Sequence, residues 1–168
     1  LLSKSLHREG LLLDKTIFEV EISNSGPKSY ETATVMKMPA SFAEFSDALQ
    51  KARIKDGSFC KNELTCIHYN GLTHAMIGWN ANLYDLNLFA QRLASLTEEQ
   101  KKGMDALLKI KQNHRVAPIP LNQLINLTYN TDICCFAPRV SNHEELGAFL
   151  YANEMLSNEA MALLDTTE

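Results

Sequence analysis

The sequence predicts an α+β fold, a small antiparallel β-sheet with one helix followed by a mainly helical lobe. Two patterns carry that expectation. Between Thr16 and Tyr69, apolar and polar residues alternate in short runs of period two, as half-buried strands require. After Gly78-Trp79-Asn80, apolar residues recur every three or four positions, as helices burying one stripe require. The expected division is therefore an N-terminal α+β lobe over residues 1–78 and a helical lobe over 79–168. A length of 168 residues suits one compact domain or two small lobes sharing an interface.

Taken in order, Leu1 to Lys15 lacks a clean period and reads as a weak helix or a docked arm. Thr16 to Ser23 is a strand with Phe18, Val20 and Ile22 on one face and Glu19 and Glu21 on the other. Asn24-Ser25-Gly26-Pro27 supplies turn chemistry, and a second strand runs from Ala33 to Met38. Ser41-Phe42-Ala43-Glu44 is a capping box that opens a helix stopped by Asp56-Gly57. Glu63 to Tyr69 alternates as a third strand, with Leu64, Cys66 and His68 on one side. Asn82 caps the next helix, whose stripe is Leu83, Leu86, Phe89, Ala90 and Leu93. Thr97 to Gln100 is a second capping box, and Asn113 to Pro118 reads as a loop. Pro120 suits a first helical turn, and a short strand or extended link spans Asp132 to Ala137. Ser141-Asn142-His143-Glu144 forms a third capping box, and one more short helix is expected from Asn158.

Hydrophobic residues make up 45% of the chain and charged residues 21%, which excludes wholesale disorder. No apolar run approaches the ~20 residues needed to span a bilayer, and the leucines near the start are too few for a signal segment. The four cysteines (Cys60, Cys66, Cys134, Cys135) then read as reduced, buried thiols of a cytosolic protein. The net charge of −4 is unevenly spread: Asp132 to Glu168 carries seven acids against Arg139 alone. That acidic end argues against direct nucleic-acid binding and suits a basic partner.

Catalytic signatures are missing from the sequence. No glycine-rich phosphate loop, G-x-S-x-G elbow, H-E-x-x-H pair or EF-hand loop occurs. Cys60, Cys66, His68 and His74 are the sharpest metal candidates, but their spacing lacks the paired C-x2-C of structural zinc sites. Asp85, Glu98, Glu99 and Asp105 are candidates for proton transfer, though Glu98 and Glu99 have a structural reason to occupy a first helical turn. Lys101, Lys102, Lys109, Lys111 and Arg115, with His114 among them, read as a solvated helix face. Trp79 reads as a core hinge. The expectation is a binding protein rather than an enzyme, with no cofactor and no metal.

Leu124-Ile125-Asn126-Leu127-Thr128-Tyr129-Asn130-Thr131-Asp132, then Phe136-Ala137-Pro138, then Glu144-Glu145-Leu146-Gly147, gives the chain a direction. This succession resembles the central signature of the ArdA antirestriction family, an L-I-N-L-T-x-N block followed by an extended piece and an E-x-L-G helix. Asn82 to Asn87 resembles that family's I-x-E-L-N helix, and Phe42 to Phe45 falls where the family has a helix after its first strands. The family is carried on mobile elements and imitates DNA to occupy the groove of type I restriction–modification enzymes, usually as elongated dimers. The resemblance therefore implies a protein partner that normally binds DNA, a homodimer, and phosphate-like charges at Asp132, Glu144, Glu145, Glu154 and Glu159. Family members are more acidic and continue into a further acidic lobe, so the resemblance implies either a fragment or a diverged relative with another partner. The rival expectation is an interaction module of a mobile-element protein without mimicry, marked by an apolar interface patch.

Overall fold

A computed structural model describes residues 15–24, 29–57, 60–78, 80–113, 118–133, 140–153 and 155–157. The chain divides into two compact units, Leu1–Cys134 and Cys135–Glu168. The boundary expected after Gly78 falls inside the first unit.

The first unit is the α+β fold that the alternation predicts. Its strands are β1 (Phe18–Ser23), β2 (Thr34–Met38) and β3 (Lys61–Ile67), antiparallel in the order β2-β1-β3. Its helices are α1 (Phe42–Lys51), α2 (His74–Ile77), α3 (Leu83–Ser95), α4 (Glu98–Asn113) and α5 (Leu121–Leu127). Short 3-10 turns cover Ser29–Glu31 and Thr131–Ile133. The second unit contains α6 (His143–Ala152), none of whose residues is buried.

The inward sheet face, Phe18, Val20, Ile22, Met36, Met38 and Leu64, joins α3 residues Leu83, Leu86, Phe89, Ala90 and Leu93 in one core. Phe18 and Phe89 meet across that interface with ring centroids 5.8 Å apart, an edge-tilted aromatic contact of the favoured range. Residues from both expected lobes therefore share one hydrophobic core. Buried amides tie the same elements together. Asn87 on α3 accepts from the Ala40 amide at 2.7 Å and donates to the Ala40 carbonyl at 3.1 Å. Asn62 on β3 donates to the Ala81 carbonyl just before α3 at 2.7 Å.

Local chemistry explains the helix ends. The Ser41–Glu44 capping box forms as expected, with both reciprocal bonds present. So does the Thr97–Gln100 box, and Asn82 caps α3 through the amides of Tyr84 and Asp85. The α1 stop comes earlier than Asp56-Gly57. Arg53 takes a left-handed conformation (φ 55°), while the Arg53 and Ile54 amides bond back to Gln50 and Leu49. This is a Schellman ending that uses arginine where glycine is usual.

Three other expectations need correction. The third capping box is shifted by one residue. Asn142 is the cap, accepting from the Glu145 amide at 2.8 Å, and the Glu145 carboxylate, not that of Glu144, reaches back to Ser141. Of the extended link expected over Asp132 to Ala137, Asp132 and Ile133 belong to a 3-10 turn, and Cys134 to Ala137 lie outside the described residues. On β3, a register shift opposite Glu19/Val20 inverts the alternation, so Leu64 is buried but Cys66 and His68 turn outward. The expected elements at Leu1 to Asp14 and from Asn158 onward lie outside the described residues.

Gly103 lies on α4 where the Thr131–Ile133 turn crosses it, and a Cβ there would overlap the Thr131 carbonyl oxygen. Gly103→Ala is expected to cost roughly 1–3 kcal/mol, the range of an overpacked site that must shift backbone. Urea denaturation checks this, and an unchanged midpoint would contradict the close approach.

Candidate functional site

The sheet has one face against the helices and one against solvent, so its outward residues are free to carry function. On that outer face Glu19 and Glu21 stand on the central strand. Glu21 pairs directly with Glu63 of β3 on one side and with Val35 of β2 on the other. Lys37 stands opposite Glu19, and Lys61 opposite Ser23, so the lysines occupy opposite corners and the carboxylates the middle. Like charges directly across a strand pair disfavour the fold by about 0.2–1 kcal/mol. Neither Glu21 nor Glu63 forms an ion pair with another described residue. The face opens into a polar groove of about 470 Å³ lined by Glu21, Ser23, Tyr30, Lys61, Glu63 and Asn80.

At the other end of the face the β3 bulge gathers three side chains. His68 Nε2 lies 3.4 Å from a Glu19 carboxylate oxygen, and Cys66 Sγ lies 3.9 Å from His68 Nδ1. Cys60 lies in the core, its thiol donating to the Gly57 carbonyl at 3.6 Å, and burial raises its pKa. Among the described residues no three His, Cys, Asp or Glu side chains gather as metal ligands would. Cys60, Cys66, His68 and His74 are thus not assembled into one centre.

Of the expected phosphate-like charges, Asp132 is exposed on the 3-10 turn of the first unit, while Glu144 and Glu145 are exposed on the first turn of α6 in the second. The Ser141 backbone amide and hydroxyl hold the Glu145 carboxyl below its ordinary pKa. Glu154 and Glu159 lie outside the described residues, as do Trp79, Cys134 and Cys135.

The block that carries the resemblance has structural work in this fold. Leu124 is fully buried, and Thr128 accepts from Arg92 Nε at 3.3 Å. The Arg92 guanidinium lies 3.9 Å over the Tyr129 ring, a cation–π contact between α3 and the residues following α5. Asn130 bonds back to the Asn126 carbonyl at 2.7 Å.

The acid candidates for proton transfer separate into different settings. Asp85, Glu98 and Glu99 are exposed in first helical turns, and Glu98 pairs with Lys101. That bond holds the Glu98 carboxyl below its ordinary value. Asp105 differs. Its Oδ1 is buried without a hydrogen-bond partner among the described residues, close to Gly71, and burial raises its pKa despite the opposing pull of Lys109. The Tyr69 hydroxyl is likewise buried and without a partner among the described residues, and burial raises its pKa too. Sequence reading singled out Asp105 but missed Tyr69, because only the turn at Gly71 brings this part of the chain against α4.

Comparison with known proteins adds no relative: no family model, curated protein or solved structure matches the chain. Among the described residues no helix is long and apolar enough to cross a membrane.

A carboxyl whose folded pKa is raised favours the fold most when protonated, and that stability is lost as pH rises from the unfolded value through the folded one. Asp105→Asn, which keeps the shape and removes the charge, should therefore raise the melting temperature at pH 7. Its advantage should shrink toward pH 4, near the ordinary aspartate value of about 3.9. Melting curves across that range check this, and a variant less stable than the parent at pH 7 would contradict it.

Proposed function

We propose that the chain acts in the cytoplasm by binding a protein rather than by catalysis, presenting carboxylates to a site built for DNA phosphates. The observation carrying this reading is the like-charged Glu21–Glu63 couple on the open sheet face, which has no ion-pair partner among the described residues, with Glu19 in line on the central strand. A fold selected for stability alone gains nothing from opposing two glutamates there, whereas a basic partner turns the repulsion into binding energy. A groove that holds phosphates through Lys and Arg accepts carboxylates by the same charge-assisted hydrogen bonds.

The resemblance of the Leu124–Asp132 block to the ArdA family supplies the class of partner: a type I restriction–modification enzyme, or another protein whose site is shaped for DNA. Asp132 is an exposed charge of the first unit, and Glu144 and Glu145 are exposed charges of the second. With a net charge of only −4, mimicry in this chain depends on where its carboxylates stand rather than on their number.

One feature favours a second reading, an interaction module without mimicry. Phe42 is 90% exposed beside an apolar groove of about 400 Å³ lined by Phe45, Leu49 and Tyr84. An aromatic residue so exposed next to an apolar groove is a common mark of a protein contact.

Competition with DNA for a type I methyltransferase separates the two. Mimicry predicts that the purified chain displaces DNA at low salt, and that its affinity falls at least tenfold between about 50 and 200 mM salt. Failure to displace DNA at low salt would end the mimicry reading. Binding that survives high salt and is lost in Phe42→Ala would favour the second.

A further inference from the structure

We propose that Cys66 is an activated thiol, a modification site at which the protein forms mixed disulfides with small disulfides. The site is made by the β3 bulge. Strict alternation would turn Cys66 inward with Leu64, but the register shift sets it directly across from Glu19 on the outer sheet face. The Thr65 hydroxyl donates to the Glu19 carbonyl at 3.0 Å and pins that irregularity. His68 follows on the same face, its backbone amide held by the Ile17 carbonyl at 2.8 Å. This reactivity is independent of the binding reading, because it belongs to the protein alone.

The three side chains stand in the order thiol, imidazole, carboxylate. Cys66 Sγ lies 3.9 Å from His68 Nδ1, and His68 Nε2 lies 3.4 Å from Glu19 Oε1. A carboxylate only accepts hydrogen bonds, so Nε2 is the nitrogen that carries the proton, and the Nδ1 lone pair is left toward the thiol. A nucleophile beside a base, with the base oriented by a third group, is the arrangement that activates a thiol. Both contacts are long, as proton-transfer contacts often are before a reagent binds. When the thiol proton moves to Nδ1, Glu19 balances the imidazolium, and the imidazolium in turn favours the thiolate. Cys66 is half-buried and His68 exposed, so a small reagent reaches the sulfur from solvent. Cys60 is the opposite case, a core thiol that donates to the Gly57 carbonyl and whose pKa is raised by burial.

The reaction is thiol–disulfide exchange. The Cys66 thiolate attacks one sulfur of the small disulfide, a new S–S bond forms and the original one breaks, and the leaving thiolate takes up the proton that His68 received. Cys66 is oxidised to the mixed disulfide while the departing half is reduced to a thiol, so no further oxidant is needed. Cystamine is the suitable probe, since its two ammonium groups match a face that carries Glu19, Glu21 and Glu63.

Timed reaction with cystamine, followed by tryptic digestion and mass spectrometry, tests the site. Trypsin places Cys60 in the peptide Asp56–Lys61 and Cys66 in Asn62–Arg92, so each thiol is read separately. In the parent the Cys66 peptide should gain the adduct well before the Cys60 peptide. His68→Gln should slow Cys66 about threefold to tenfold at pH 7. The gain is bounded because a free thiol is already a few per cent thiolate there, and a more acidic thiol is a weaker nucleophile. Near pH 9.5, above the ordinary thiol value of about 8.5, parent and variant should react alike. Glu19→Gln should show the same pattern with a smaller slowing, because glutamine still accepts from Nε2 but cannot balance the imidazolium. The other ionisable groups nearby are Lys37, across Glu19 on β2, and Lys15, Tyr69, Glu98, Lys101, Lys102 and Asp105 in the cleft that His68 borders. They are common to parent and variants and cancel in the comparison. Cys60 reports folding in the same digest, since a variant that unfolds would expose it and speed its reaction. An unchanged Cys66 rate in either variant at pH 7, or a slowing that persists undiminished at pH 9.5, would overturn the proposal.

Discussion

A three-stranded sheet is too small to be stable in water unless one face is covered, and in this protein the cover is α3. Phe18 of the central strand packs against Phe89 of that helix, and Asn87 and Asn62 satisfy buried backbone groups on either side of the contact. Much of the first unit's core is built on this interface. It decides which sheet face is buried, and hence which residues of β1 and β3 face the solvent. Because side chains alternate along a strand, burying Phe18, Val20 and Ile22 leaves Glu19 and Glu21 pointing outward. The charged face is thus the geometrical complement of the core.

Much of this was legible in the sequence where the signal is local. The alternation over Phe18–Ser23, the Ser41–Glu44 and Thr97–Gln100 capping boxes and the stripe of α3 each depend on residues within a turn or two of one another. The third box shows how fine the margin is. Ser141 and Asn142 are adjacent and both can cap, and the choice of Asn142 moves the reciprocal role from Glu144 to Glu145. The α1 ending was obscured because arginine occupies the left-handed position that glycine usually signals.

What escaped sequence reading depends on pairing between distant segments. The outward charges of β1 are visible as an alternation, but that Glu21 lands opposite Glu63 follows from the β1–β3 register. The bulge that turns Cys66 and His68 toward Glu19 is likewise a property of two strands rather than of one. Tyr69 and Asp105 are separated along the chain and line one cleft, where Gly71, at φ 90°, lets the turn after β3 lie against α4. The Leu124–Asp132 block illustrates the reverse case. Its pattern was conspicuous, yet Leu124, Thr128 and Tyr129 hold α5 and its end against the core and Arg92, leaving Asp132 as its exposed charge.

The central claim is that the open sheet face trades stability for binding, and the double variant Glu21→Gln/Glu63→Gln tests it most directly. Removing both charges should raise folding stability by about 0.2–1 kcal/mol, relieving the cross-strand repulsion. It should also weaken competition with DNA for the partner enzyme about tenfold, as expected when desolvated charge contacts are lost. Opposite movement of the two quantities is what the account predicts. A double variant that competes as well as the parent, or that is less stable than it, would contradict the assignment of this face as the binding surface.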